Sequence, residues 1–408
     1  MPSAGLIAGP PTGPFRGSFR GPFRGRSNGT KGASSIACCL VDRSRDSWEV
    51  WFADDSSKGS QPLSIITAWC LFAISAVVIA AVGSRMTAVA DRLADRTGWG
   101  EAIVGATLLG AATSLPGITA SVTAAVDGKP QMALSNAIGG IAAQTMFLAI
   151  ADLTYRKANL EHAAASLANM LQAVLLVFIL SLLLITMATP AIAFFGIHPV
   201  SPLMFVIYFA GLVMVKRAKE YPMWQPRSTD RTRTDQPDEK QTPASQDWGL
   251  WLRFAGFALI VVVCGIVVTR SVSAMVDHHD WLGESAAGAF MTAVATSLPE
   301  LVTSIAAVRR GALTLAVGGI VGGNCFDTLF AAVSDIAYRD GSIYHAAATA
   351  TSSSGPSEMT LIAATIAMTS LLLGGLLYRE KSGVAGIGFE SVGIIVIYLG
   401  LLGVMTFV

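Results

Sequence analysis

The chain repeats itself. Residues 105–165 align with 288–348 without a gap, at a shift of 183 positions, and 23 of the 61 pairs are identical. Thr-Ser-Leu-Pro at 113–116 recurs at 296–299. Asp-Leu-Thr-Tyr-Arg at 152–156 recurs as Asp-Ile-Ala-Tyr-Arg at 335–339, and His-Ala-Ala-Ala at 162–165 recurs at 345–348. Nearer the ends of the halves, Gly196 and Tyr208 match Gly386 and Tyr398 at a shift of 190. The fold must be one that two related halves build.

What repeats is apolar. Hydrophobic residues make up 52% of the 408 and charged residues only 13%, against about 25% charged in an ordinary soluble protein. Mean hydropathy is +0.57 although two stretches are plainly hydrophilic. These figures exclude a soluble enzyme, a nucleic-acid binder with a basic face and a disordered chain. Lys and Arg (28) balance Asp and Glu (27), so net charge selects no partner. The five cysteines show no disulfide or zinc spacing.

A bilayer-spanning helix needs roughly 20 mostly apolar residues. Ten segments qualify: about 63–84, 103–126, 131–153, 169–189, 199–215, 251–269, 285–308, 312–335, 359–378 and 387–407. Those at 103–126 and 285–308 are rich in Gly, Ala, Ser and Thr, which suits close helix packing inside a bundle. Lys and Arg cluster in the connections after odd-numbered spans, so these are expected on the cytoplasmic side with both termini outside. The expected architecture is all-α and polytopic. Residues 1–62 form a low-complexity tail with Gly-Pro-Phe-Arg-Gly at 13–17 and 21–25. Residues 63–215 and 251–408 form two five-span halves, and a flexible cytoplasmic linker joins them at 216–250. An odd number of spans per half inserts the second half upside down. The ten helices are therefore read as two inverted five-helix repeats, a pattern of secondary transporters.

In such folds the site lies at the membrane midplane, where corresponding helices are interrupted. Pro116 and Pro299 are the expected interruptions, each depriving the carbonyl four residues earlier, at Ala112 and Ala295, of its donor. A freed carbonyl in mid-membrane must line a polar cavity or meet a partner such as a cation. Two carboxylates lie deep in the second half, Glu300 directly after Pro299, and Asp327 within Gly-Gly-Asn-Cys-Phe-Asp at 322–327. A charged side chain at a span centre costs about 2.5–3.5 kcal/mol on the lenient insertion scale, so such residues persist where they face ions, protons or partners. Thr296 and Ser297 lie within a turn of Glu300, and Asn324 shares a helix face with Asp327. Oxygen ligands of this kind suit hard cations such as Na⁺ and Ca²⁺.

Paired repeats carrying Thr-Ser-Leu-Pro-Glu, then Gly-x-Asn-x-Phe-Asp on the next helix, resemble the α-repeats of the cation/calcium exchanger superfamily. The resemblance implies ten spans and secondary antiport by alternating access, with Ca²⁺ exchanged for Na⁺ or H⁺ and no cofactor or enzymatic step. It also implies that Glu300, Asp327, Thr296 and Ser297 in the second half bind cations together with Thr113 and Ser114 in the first; Asn324, on the face of Asp327, and Gln144, at the repeat position of Asp327, complete the expected cation-binding set. The metal ion would sit on Glu300 and Asp327. This chain departs from the pattern in the first half. Gly117 stands opposite Glu300 and Gln144 opposite Asp327, and the Gly-Ser-Asn signature reads Gly-Gly-Ile at 139–141, while Gly323 replaces its second-half serine. Both acids thus come from one half, and the expected consequence is altered ion choice or stoichiometry. The alternative is a transport-inactive protein that keeps the exchanger fold. An intramembrane aspartyl protease could also pair two acids, but it would leave the repeat unexplained, and a channel would share the site. The expected partners are transported inorganic cations and the lipid bilayer, with no nucleic acid. The expected location is a bacterial plasma membrane with 216–250 cytoplasmic.

Four further features are expected to be structural. Asp152 and Asp335 each precede an arginine by four residues, the spacing of a helical ion pair. His162 and His345 occupy equivalent interfacial positions, and Glu390 starts the last span. The stretch 85–96 interleaves charged and apolar residues in the manner of a surface-lying amphipathic helix.

Overall fold

The computed structural model describes residues 63–97, 105–154, 162, 164–224, 248–279, 282–310, 313–349, 358–380 and 388–407. The N-terminal tail and most of the predicted linker lie outside them. The residues from Gln61 onward form one compact unit. It is built of helices: α1 Ile65–Thr97, α2 Gly105–Val126, α3 Pro130–Thr154, α4 Leu167–Ala188, α5 Val200–Glu220 and α6 Trp248–His278. There follow α7 Glu284–Thr296, α8 Leu298–Arg310, α9 Leu313–Ala337, α10 Ile343–Thr349, α11 Glu358–Tyr378 and α12 Phe389–Phe407. All ten apolar segments fall on this set. Among the described residues eight helices are long and apolar enough to cross a membrane, and α7 with α8, bent by 50°, makes up to nine. The chain is a multi-pass membrane protein.

Composition decides which helices are central. In α3, Ala133, Ala137, Ala142 and Ala143 are fully buried, and the helix is enclosed along most of its length. A Cβ on Gly139 would overlap the backbone of Ala289 in α7, and one on Gly288 would lie 2.6 Å from the Met132 carbonyl oxygen. Both glycines therefore allow α3 and α7 to touch backbone to backbone. The long aliphatic helices α1 and α6 bury little and pack chiefly along each other. Between these extremes, α9 packs on α2, α3 and α4.

Two expectations about local structure are corrected. The amphipathic stretch after the first span does not lie alone on a surface. It continues α1, where Met86 packs with Val261, and Val89 and Leu93 pack with Leu250, Phe254 and Phe257 of α6. The matching apolar stripe on α6 is the partner that the stretch alone could not reveal. The two proline interruptions are also unequal. In the second half Ser297 leaves helical geometry (φ −93°, ψ 7°), one turn beyond a π-helical stretch at Ala287–Thr292. In the first half the helical assignment of α2 is continuous through Pro116.

Both halves carry the same latch. The Asp335 carboxylate in α9 accepts from the His198 N–H (2.8 Å) and Ser201 Oγ (2.6 Å) of the α4–α5 region, and from the Ile343 N–H (3.0 Å). Its repeat equivalent Asp152 accepts from Ser391 Oγ at 2.9 Å, and Ser391 lies 190 positions after Ser201. His162 Nδ1 meets the Arg379 carbonyl oxygen (2.7 Å) and His345 Nε2 the Thr189 carbonyl oxygen (2.9 Å), again at shifts of 183 and 190. The expected Asp335–Arg339 pair does not form, because α9 ends at Ala337 and the carboxylate is already taken by three donors. Arg156 lies outside the described residues. Glu390 is buried.

Candidate cation site

The break at Ser297 starts α8 in the middle of the bundle, so Glu300 falls in its first turn and points inward. Asp327 reaches the same point from the middle of α9. They are 7% and 1% exposed. With Ser114 and Gly117 of α2, Asn136, Gly140 and Gln144 of α3, and Thr296, Ser297 and Phe330, they line a cavity of about 10 Å³. That is room for about one water or one desolvated ion.

The hydrogen bonds are donated toward Asp327. Ser114 Oγ donates to Oδ1 at 2.5 Å, and Gln144 Nε2 donates to Oδ2 at 2.6 Å and to Ser297 Oγ at 3.4 Å. The Thr113 hydroxyl hydrogen-bonds the Glu300 carboxyl. Thr296 Oγ1 donates back to the Thr292 (2.9 Å) and Ala293 (3.1 Å) carbonyl oxygens, which leaves its lone pairs for the cavity. What remains around the cavity is acceptors. Asn136 Oδ1, Gln144 Oε1 and Glu300 Oε2 are buried oxygens that accept no hydrogen bond. An isolated buried acceptor costs about 1–3 kcal/mol, more when it carries charge. Three such oxygens at one cavity, two of them neutral, suit a hard cation.

Six of the eight ligands expected from the sequence line this cavity: Ser114, Gln144, Thr296, Ser297, Glu300 and Asp327. Thr113 stands one step behind, on Glu300. Asn324 is not in the lining. Its Nδ2 donates to Thr145 Oγ1 (3.1 Å) and the Ile141 carbonyl oxygen (3.5 Å), while its Oδ1 accepts nothing. Sequence reasoning missed Asn136. The available signal was the Ser135-Asn136 pair near the start of the third apolar segment, without a polar counterpart in the second half, where Gly318 and Gly319 stand.

A multi-pass helical protein whose buried centre is a cluster of hard oxygens falls in the class of cation transporters. The chain belongs to the sodium/calcium exchanger protein family, whose sequence model matches residues 67–216 and 248–407. It is similar to the putative antiporter CaxA of Alkalimonas amylolytica, 28% identical over 283 residues that cover 67% of this chain and 80% of that protein. It is also similar to the inner membrane protein YrbG of Escherichia coli (strain K12), 24% identical over 276 residues covering 64% and 77%. The fold matches the crystal structure of the H⁺/Ca²⁺ exchanger CAX with a TM-score of 0.59 at 11% identity, over 82% of this chain and 81% of that one. The family is one of exchangers that carry inorganic cations across a bilayer, and cation antiport is the general activity.

Proposed function

We propose that this protein exchanges Ca²⁺ for Na⁺ or H⁺ across a bacterial plasma membrane by alternating access, with Glu300 and Asp327 as the anionic ligands of one central site. The observation that carries this reading is the set of unpartnered buried oxygens of Asn136, Gln144 and Glu300 around one small cavity. Between loads, Ser114 and Gln144 donate to Asp327 and hold its carboxylate in place. An arriving cation takes over the lone pairs of Glu300 and Asp327 and collects neutral oxygens from Thr296, Ser297 and Gln144, with Thr113 orienting Glu300. Asn324 steadies α9 against α3 from behind the site.

Two carboxylates balance one Ca²⁺ or two monovalent ions. With Gly117 in place of a first-half acid, the reading is exchange at lower stoichiometry than three Na⁺ for one Ca²⁺. The ten apolar segments act as two inverted repeats, joined by a cytoplasmic connection between the end of α5 at Glu220 and the start of α6 at Trp248. Several contacts support that arrangement. Gln144 and Asp327 occupy the same repeat position and hydrogen-bond each other, as do Asn324 and Ile141. Residues that meet their own equivalents lie at a two-fold axis. The crossed Asp152–Ser391 and Asp335–Ser201 latches obey the same symmetry. The α1–α6 pair, packed chiefly on itself, is the element that moves past the site.

Equilibrium binding of ⁴⁵Ca²⁺ to the purified full-length protein tests the reading. Saturable binding with about one Ca²⁺ per chain, displaced by Na⁺ or by acid, is expected. Absence of Ca²⁺ binding at any pH would contradict it.

A further inference from the structure

Gly117 is the position from which a first-half carboxylate would reach the site, and the structure has filled that space. A Cβ built on Gly117 would lie 2.7 Å from Phe330 Cε2 and 3.4 Å from Phe330 Cζ. Cβ atoms do not approach an aromatic carbon so closely, so any side chain at 117 must displace the ring. The ring has little freedom to move. Phe330 is 4% exposed. It packs edge-to-face on Phe326 with centroids 6.2 Å apart, and Phe326 packs in turn on Tyr208 at 5.9 Å. This aromatic stack backs Phe330 into the cavity that it lines.

Next to the ring, Asn136 supplies an oxygen without a charge. Its Nδ2 donates to the Gly117 carbonyl oxygen at 3.0 Å and to Ser121 Oγ at 2.7 Å. Because a carbonyl oxygen cannot donate, the amide cannot be turned round. Its Oδ1 is therefore held away from both partners, buried and without a donor.

We propose that Phe330 is a specificity-determining residue of the cation site: its ring occupies, against Gly117, the place of a third carboxylate, and Asn136 provides a neutral ligand on that side instead. The proposal rests on the cation-exchange reading above. The site's negative charge is thereby limited to that of Glu300 and Asp327. Restoring an acid at 117 is then not enough to restore its charge to the site, because the ring must also go.

The test uses full-length protein in proteoliposomes, reading ⁴⁵Ca²⁺ affinity and the charge moved per Ca²⁺. Gly117→Glu alone is expected to weaken Ca²⁺ binding by roughly tenfold, through overlap with the ring. Gly117→Glu with Phe330→Ala is expected to recover that loss and to move a different charge per Ca²⁺ from the unsubstituted protein. Asn136→Ala is expected to weaken Ca²⁺ binding by roughly tenfold with the charge moved per Ca²⁺ unchanged. Thermal unfolding of each variant separates loss of binding from loss of fold. Should Gly117→Glu fail to fold, Gly117→Ala with and without Phe330→Leu reads the same overlap. Equal affinity and equal charge movement in the single and double variants would overturn the proposal while leaving the exchange reading intact. An unsubstituted protein that binds neither Ca²⁺ nor Na⁺ would defeat the exchange reading, and the proposal with it.

Discussion

Glu300 and Asp327 are the residues on which the proposed exchange turns, and their carboxylate oxygens are differently engaged. Those of Asp327 are occupied by Ser114 and Gln144, whereas Glu300 Oε2 accepts nothing. Glu300→Gln and Asp327→Asn are each expected to lower Ca²⁺-dependent flux in proteoliposomes by roughly 100-fold or more, the scale of removing one partner from a buried charge pair. Near-normal flux in both would remove these residues from the site. Both acids were legible in the sequence because a carboxylate in the middle of an apolar span is costly and needs a reason. The hydroxyls of Thr-Ser-Leu-Pro were legible because the motif recurs. Asn136 was not, because its role depends on two donors being used up by Gly117 and Ser121, a fact of packing. The displacement of Asn324 behind the lining was equally hidden: same-face spacing aligned it with Asp327 but could not show that Thr145 would hold its amide.

At the scale of elements, the helices are held by buried polar latches as well as by apolar packing. Ser201→Ala takes one of three donors from Asp335, and Ser391→Ala takes one from Asp152. Each is expected to lower stability by about 1–2 kcal/mol, read as thermal unfolding in detergent, since the carboxylate left behind stays buried. His198 makes the latch near Asp335 sensitive to acid. Burial pulls its ring below the ordinary value of 6.5, opposed by Asp335 and aided by His345. Its Nδ1 accepts from the Val200 N–H at 3.1 Å and must be unprotonated to do so. A group with a depressed folded pKa contributes stability above its unfolded value and loses it as pH falls. The unfolding temperature is therefore expected to drop between about pH 7 and pH 5, and to drop less in His198→Asn, which cannot titrate. Equal slopes would exclude His198. Repeat positions 152, 335, 162 and 345 drew attention in the sequence, but the i,i+4 rule gave Asp335 the wrong partner. Donors from the α4–α5 connection, α5 and the start of α10 take the carboxylate instead.

Across the whole molecule, the two related halves make a lopsided centre. Helix positions and the repeat were readable because apolar length and self-similarity survive in a single sequence. The unequal prolines were not, since α2 absorbs Pro116 while α7 and α8 break at Ser297. The asymmetry at Gly117 was visible as a missing acid, but its physical closure by Phe330 was not, because the two residues lie on different helices. A site with two carboxylates is expected to exchange one Ca²⁺ for two monovalent ions. The most direct measurement is Ca²⁺ flux in proteoliposomes with Na⁺, K⁺ and H⁺ gradients varied separately and the reversal potential recorded. Counter-ion-dependent, electroneutral Ca²⁺ exchange is the expected result. Electrogenic exchange of three Na⁺ for one Ca²⁺, or Ca²⁺ flux that needs no counter-ion, would contradict it.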